Sequence, residues 1–348
     1  MSKLRIGIIG AGSLANFHIN AYNNNPYAEI TAICDNNLER AKALGFSECY
    51  ANYQDLLKSP NVDAVSVITW NNTHAPITIA ALKAGKHVLC EKPPALNAAQ
   101  AAEMAEAAKA SGKLLMYGFV RRFAQNTTVL KEIIESGDLG EIYYTKTGFL
   151  RRCGHPGGWF GKPEISGGGP VIDLGVHIID LSLYLMGEHK PVSVFATTSN
   201  KLGNRANIKG VNWYKAFDYD PSVNGVEDFA NALIKLDNGA SLYFETSWAM
   251  NIKKDELYLK LFGDKGGANL EPDFEVFAEK NDYMVDIKPI LENYEFDFPQ
   301  AFGAEIDHFV DCALNSKECI CGGDSGVTIM KILDAIYQSA QTGELVKL

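Results

Sequence analysis

The chain has 348 residues, 47% of them hydrophobic and 21% charged, and carries a formal net charge of −10. That length suits two domains, each with a buried core, and that composition is ordinary for a water-soluble globular protein. An acidic chain argues against nucleic acid or an anionic membrane as partner, and no apolar run approaches the roughly eighteen residues needed to span a bilayer.

Leu4 to Ile9 is an apolar, Ile-rich run, the pattern of a strand buried on both faces of a parallel sheet. It leads into Gly10-x-Gly12-x-x-Ala15, after which Asn16, Phe17 and Ile19 continue as a helix. Gly10 allows a tight turn, Gly12 lets the backbone approach a pyrophosphate, and Ala15 keeps the helix close to the strand. Ser13 and Leu14 complete the turn, and the helix N-terminus offers N–H groups and a positive dipole end to phosphates. A second strand, Glu29 to Cys34, ends in Asp35, twenty positions past Ala15. A carboxylate there bonds an adenosine ribose diol. Strand, turn, helix and acid together indicate dinucleotide binding rather than a structural glycine turn.

Strand and helix then alternate to about Gly118. Helical stretches at Leu38–Leu44 and Tyr53–Leu57 precede a strand at Ala64–Ile68. Pro76 to Ala84 is helical and stops at Gly85; His87–Cys90 is a strand; Asn97 caps a helix over Ala98–Ala110; Leu114–Tyr117 is the next strand. Such repeats imply a doubly wound parallel α/β sheet with its ligand crevice at the carboxyl ends of the strands.

Beyond Gly118 the pattern changes. A helix (Thr127–Ser136) and a strand (Ile142–Leu150) lead to a Gly-rich loop, Gly154–Gly169, holding Trp159 and Phe160, and then to a helix from Val171 to Met186. From Val192 to Ile287 the pattern is mostly alternating strands, with hairpin signals at Asp237-Asn238-Gly239 and around Gly263–Gly267, so this sheet reads as mostly antiparallel. Helices close the chain over Gln300–Asn315 and Ser325–Gln341. We therefore expect a nucleotide-binding domain over residues 1–120 and an α+β domain over 121–348.

Met1-Ser2-Lys3 runs directly into a strand, which is not a signal-peptide pattern. The seven cysteines are scattered, and Cys319-Ile320-Cys321 lacks zinc-knuckle spacing. They read as reduced structural thiols in a cytoplasm, and no metal is expected.

Two clusters have the residue types for chemistry. Cys90-Glu91-Lys92-Pro93-Pro94 follows a parallel strand, so Lys92 faces the crevice, where an ammonium can polarise a substrate hydroxyl. Its local sequence does not decide between that role and a solvated loop lysine. In Gly167–Asp180, Pro170 suits a first helical turn, and Asp173 and His177 are four apart on one face. Gly175 between them leaves room for a close approach by ligand or chain. A neutral histidine can accept a hydroxyl proton and a carboxylate can orient it, with Asp180 a competing partner. Taken alone, this segment reads more readily as a capping aspartate and a satisfied, buried histidine.

These residues in combination resemble the glucose–fructose oxidoreductase/inositol dehydrogenase (Gfo/Idh/MocA) family over essentially the whole chain. The resemblance rests on the Gly-Ala-Gly turn with His18, Asp35 with Arg40-Ala41, Asp63-Ala64-Val65 leading to Thr69 and His74, and Ala84–Val88 into Glu91-Lys92-Pro93. Arg121-Arg122-Phe123, the Gly167–His177 segment and Ser339-Ala340-x-Thr342-Gly343 complete it. It implies a Rossmann domain followed by an α+β domain with a large open sheet, and an NAD(P)-dependent dehydrogenase or reductase of sugars or cyclitols. Lys92, Asp173 and His177 would be catalytic: His177 the proton acceptor, Lys92 polarising the hydroxyl, Asp173 holding substrate or histidine. Glu91, Thr69, Asn71 and His74 would line the nicotinamide pocket, Arg122 would contact substrate hydroxyls, and Trp159 would be a sugar-stacking wall or a core aromatic. The second domain would carry a homodimer or homotetramer interface. Trp70 departs from the proline usual after Thr69. Asp35 favours NAD, while Arg40 could reach the 2′-phosphate of NADP.

The competing functions are a redox-neutral NAD-dependent glycosidase or lyase and a non-catalytic NAD-binding regulator. The first lacks an extra acid pair here, and the second is disfavoured by the intact Lys92 and His177.

Overall fold

The computed structural model describes residues 3–187, 189–292 and 294–348. Met1 and Ser2, within the first expected domain, lie outside the described residues. In chain order the elements are β1 (Leu4–Ile9), α1 (Ala15–Asn24), β2 (Ala28–Cys34), α2 (Leu38–Lys42), β3 (Glu48–Tyr50), α3 (Tyr53–Leu57), β4 (Ala64–Val67), α4 (Asn71–Lys83), β5 (His87–Glu91), α5 (Ala98–Ser111) and β6 (Leu115–Gly118). They continue with α6 (Gln125–Glu135), β7 (Ile142–Leu150), α7 (Pro163–Ser166), α8 (Val176–Met186), β8 (Pro191–Ser199), β9 (Phe229–Leu236), β10 (Ser241–Ser247) and β11 (Glu256–Gly263). The last are β12 (Gly266–Glu271), β13 (Glu275–Lys280), β14 (Tyr283–Ile287), α9 (Phe298–Asn315), α10 (Gly323–Thr342) and β15 (Val346–Lys347).

Two compact units result. Unit 1 is Met1–Phe123 with Asp297–Met330, and unit 2 is Ala124–Phe296 with Lys331–Leu348. The return of Asp297–Met330 to unit 1 follows from apolar pairing across a long sequence distance: the rings of Phe298 and Phe302 on α9 pack on Phe17 of α1, at 5.9 and 5.3 Å between centroids. Asn25 also donates to Asp307 at 2.6 Å.

Unit 1 holds a six-stranded sheet in the order β3-β2-β1-β4-β5-β6, every pair parallel. Ile6, Ile8, Ile33, Val65, Val67, Val88 and Leu89 are fully enclosed, as strands covered on both faces must be. All carboxyl ends therefore lie along one edge, where the chain places Gly10, Asp35, Thr69 and Lys92 just past β1, β2, β4 and β5. The order reverses between β1 and β4, the position at which such sheets open a crevice.

The helix expected from Pro76 begins five residues earlier, at Asn71, with Pro76 inside it. Asn97 caps α5 as expected, its side chain accepting from Gln100 N–H at 3.0 Å.

Unit 2 holds a nine-stranded sheet in the order β14-β13-β12-β11-β7-β10-β9-β8-β15. Only β7 and β10 pair in parallel, and both expected hairpins form, β9–β10 and β11–β12. The strands expected throughout Val192–Ile287 are interrupted: residues 200–228 form a long connection without a strand. Its Asn, Gly and Pro residues break the alternation, and it pairs instead with the Gly-rich loop, Ala216 N–H to Pro156 O at 2.9 Å and Gly225 N–H to Gly161 O at 2.9 Å. The run Pro163–Met186 is, contrary to expectation, apolar and long enough to cross a membrane, but most of it is buried inside the protein as core.

Candidate active site

The glycine turn is built as its sequence requires. Gly10 has φ +106°, and a Cβ there would lie 2.3 Å from the Ile68 carbonyl oxygen, so only glycine fits. At Gly12 a Cβ would meet nothing within 4 Å. Its side of the turn is open, as a cradle for an approaching pyrophosphate needs. The first turn of α1 carries no acidic residue and no side-chain cap, which keeps its positive end available to an anion. Gly12 and Ser13 are exposed and Leu14 is half-buried.

Asp35 is buried, and its carboxylate is partly committed to the backbone. One oxygen accepts from Ala11 N–H at 2.9 Å and the other from Asn37 N–H at 2.8 Å. The Arg40 guanidinium stands 3.6 Å away. Asp35 therefore ties the end of β2 to the glycine turn, and each oxygen keeps a lone pair for a diol.

At the ends of β4 and β5, His74 joins two loops. Its Nδ1 bonds the Pro93 carbonyl at 2.7 Å and its Nε2 lies 3.1 Å from the Thr69 carbonyl. Burial pushes this imidazole below its usual range, the two carbonyl contacts opposing. Thr73 donates to the Thr69 hydroxyl at 2.7 Å, and Asn71 is buried at the start of α4. His74 thus acts inside the protein as a clamp on the loops of Thr69 and Lys92.

Glu91 is held by His18, Nε2 to Oε1 at 2.8 Å, and its other oxygen accepts the Lys92 N–H at 3.2 Å. Beside it Glu305 is fully enclosed, and neither oxygen has a hydrogen-bond partner among the described residues. Burial first, then the Glu91 charge, push Glu305 well above the carboxylate range, so it is held as the neutral acid. Lys92 is half-buried at the carboxyl end of β5. Arg122 is 8% exposed; its guanidinium donates to the Ile320 carbonyl and lies 5.3 Å from the Phe119 ring centre.

In unit 2 the helix with Asp173 and His177 starts with a π-helical turn, Val171–Gly175, that runs into α8. Such turns recur at functional sites. From Gly168 to Leu183 every residue is buried except Asp173 and His177. These two are half-buried, and the Nδ1 of His177 is itself enclosed. Gly175 gives its space to the chain: a Cβ there would lie 2.8 Å from the Phe244 ring. Trp248, fully enclosed, donates its indole N–H to Asp173 Oδ2 at 3.0 Å. The His155 ring lies 4.6 Å from Trp248, and burial pushes its imidazole down to about 4, so it is neutral. Asp180 is buried. Trp159 is half-buried against Phe160 at 3.9 Å between centroids.

Glu227 sets the N-terminus of this segment. Its carboxylate accepts from Gly169 N–H at 3.0 Å and Val171 N–H at 3.1 Å, and Tyr337 donates its hydroxyl at 2.9 Å. Sequence reading missed Glu227, Trp248 and His155. No local motif marks them, because their partners lie far along the chain.

An all-parallel sheet with an open glycine turn and an acid at the end of β2 is the geometry of a dinucleotide-binding domain. The residues fit NAD: Gly10 makes the turn, Gly12 leaves the space, and Asp35 supplies the acceptor. Family models agree over both halves. Residues 4–119 match the oxidoreductase family, NAD-binding Rossmann fold, and residues 131–348 match its C-terminal alpha/beta domain. The chain belongs to the Gfo/Idh/MocA family of NAD-binding oxidoreductases.

Similar proteins include the D-glucoside 3-dehydrogenase of Escherichia coli (strain K12), 36% identical over 354 residues, with 100% of this chain and 98% of that protein covered. The myo-inositol 2-dehydrogenase of Thermotoga maritima is 30% identical over 319 residues, with 87% and 91% covered. Among solved structures, the aldose-aldose oxidoreductase from Caulobacter crescentus complexed with glycerol matches with TM-score 0.82 and 27% identity over 99% of this chain and 100% of that one.

Proposed function

We propose that the protein oxidises a secondary ring hydroxyl of a hexoside, a D-glucoside in the first instance, with NAD as the hydride acceptor. The observation that carries this reading is the pairing of Asp173 and His177 as the two half-buried side chains of an otherwise buried segment. A core helix would gain stability from apolar residues there; two titratable ones serve chemistry. His177 accepts the hydroxyl proton, Asp173 holds substrate or histidine in place, and Trp248 fixes the Asp173 carboxylate. Lys92 polarises the substrate hydroxyl, with its loop set by His74 and Glu91. Arg122 and Trp159 are the remaining substrate contacts. The full-length similarity to a D-glucoside 3-dehydrogenase supports a glycoside over a cyclitol.

Ser13, Leu14, Thr69, Asn71, His74, Glu91 and Lys92 surround the cofactor together with the glycine turn. Asp35, with Arg40 drawn towards it, favours the free diol of NAD over NADP. In functional terms residues 1–120 bind the cofactor and residues 121–348 bind substrate and mediate self-association. Exposed Tyr143, Phe195, Leu233 and Phe262 on the nine-stranded sheet support a homodimer or homotetramer. Seven free thiols suit a cytoplasmic enzyme.

The test is purified protein with NAD against glucosides, aldoses, anhydro-sugars and cyclitols, reading NADH formation and bond cleavage together. Steady NADH with a glucoside is expected. Cleavage without net NADH would replace this reading with redox-neutral chemistry, and tight NAD binding with neither outcome would point to a regulator.

A further inference from the structure

His308 and Cys312 lie one turn apart on α9, so their side chains share a face. The chain then turns back and brings Cys319 to the same point. His308 nitrogen and the Cys312 and Cys319 sulfurs all lie within 4.8 Å of one another. The Cys312 sulfur is 3.4 Å from His308 Nε2. A tetrahedral zinc with bonds of about 2.0–2.1 Å to nitrogen and 2.3 Å to sulfur sets its nitrogen and sulfur ligands about 3.6 Å apart. Cys321, fully enclosed, neighbours Cys319 but does not belong to that group. The cluster belongs to unit 1, and no step of the proposed dehydrogenation uses it.

The geometry points to a structural site for one thiolate-binding divalent cation of the zinc class, held by His308, Cys312 and Cys319, with water to complete the tetrahedron. One imidazole and two thiols is a ligand set that selects zinc over the oxygen-preferring magnesium and calcium. The thiols give up their protons to the solvent as the metal binds. The site also has a place in the fold. Ile320 sits between the two loop cysteines; its N–H lies 3.2 Å from His308 Nε2, a contact that the metal replaces, and its carbonyl receives the Arg122 guanidinium. The His308 ring packs on Phe123 at 5.4 Å between centroids. A cation here fixes the loop that holds Arg122.

The spacing His-x3-Cys-x6-Cys matches no short zinc motif, and so the sequence alone conceals it. The experiment uses the full chain, purified reduced, stripped with a chelator and titrated with Co²⁺ as probe. One equivalent should bring up a thiolate-to-cobalt charge-transfer band and intense tetrahedral d–d bands, and Zn²⁺ should remove both stoichiometrically. Cys319→Ser, a partly exposed loop position, should weaken binding at least about tenfold, and Cys312→Ser/Cys319→Ser should abolish the bands. Absence of a thiolate band in the unaltered chain overturns the site, whatever the variants do. Bands that persist in the double variant also overturn it. An intact mass two hydrogens light, with Cys312 and Cys319 joined, replaces it with a redox pair.

Discussion

Replacing Trp248 with phenylalanine keeps an aromatic ring in the core of unit 2 and removes a single N–H. That group is the donor to Asp173 Oδ2 at 3.0 Å, and the indole is fully enclosed beside Leu174 and Val226. A hydrogen bond to a charged acceptor contributes about 1.5–3 kcal/mol, and trimming the ring adds about 1 kcal/mol of packing loss. Asp173 is only half-buried, so water can replace the lost donor, and the net stability cost should fall near 2 kcal/mol. The kinetic cost is separate. If the bond is what orients the carboxylate in the transition state, about 1.4–2.8 kcal/mol of it appears as a 10–100-fold fall in kcat/KM. Initial rates of NADH formation measure this, with NAD affinity followed by fluorescence and expected to stay unchanged. Asp173→Asn is the companion variant. It keeps an acceptor for the indole and so keeps the fold, but it removes the charge, and its kcat/KM should fall at least as far. Unchanged kcat/KM in both variants would reduce Asp173 to a structural partner of Trp248 and remove it from the mechanism.

Other expectations can be checked with the same protein. Gly10→Ala places a Cβ 2.3 Å from a backbone oxygen at φ +106°, and should lower stability by more than about 2 kcal/mol in thermal unfolding. Gly12→Ala, with nothing within 4 Å of the new atom, should unfold like the parent but lose NAD affinity; retained affinity would show that the turn does not face the pyrophosphate. Lys92→Ala should lower turnover by about 10²-fold or more at nearly constant NAD affinity, and normal turnover would remove Lys92 from catalysis. Asp35→Ala should weaken NAD binding and also loosen the glycine turn, because it deletes the acceptor of Ala11 N–H. His155 is pushed down to about 4 by burial, against about 6.5 in an unfolded chain. The unfolded state binds the extra proton between those values, so this contribution is complete above pH of about 6.5 and falls away towards pH 4, by about 3 kcal/mol at most. His155→Gln should flatten the pH dependence of Tm in that window; an identical slope would refute the assignment.

The parallel sheet was legible because its strands are short, apolar runs punctuated by helices with ordinary caps, and each signal is local. Gly10, Gly12 and Asp35 were legible for the same reason: one strand-turn-helix unit and the end of the next strand contain the pattern. Pro76 misled because a proline normally opens a helix, whereas here a full turn precedes it. Residues 200–228 lie within a stretch whose pattern is mostly alternating strands, but their Asn, Gly and Pro residues deny them a register. The fate of Asp297–Met330 was hidden because α9 is an ordinary amphipathic helix, and only the rings on α1 determine where it packs. The support of the Asp173–His177 segment was equally hidden: Glu227 lies 58 residues from Gly169 and Trp248 lies 75 from Asp173.

The buried polar groups show where the protein sacrifices stability for position. An enclosed carboxylate or imidazole costs free energy unless its partners are in place. Among the described residues such groups gather on the loops proposed for function: Asp35 on the glycine turn, His74 between Thr69 and Pro93, His18 on Glu91, Glu227 on the backbone of Gly169 and Val171. Each replaces a flexible loop contact with a directed one. Glu305 completes the pattern by exception. Burial first, then the Glu91 charge, push its carboxyl well above the ordinary carboxylate range, which favours the neutral form. Glu305→Gln is close in shape and permanently neutral. It should therefore leave thermal stability and NAD affinity near those of the parent at neutral pH, and a large loss of either would mean that Glu305 works as a carboxylate after all.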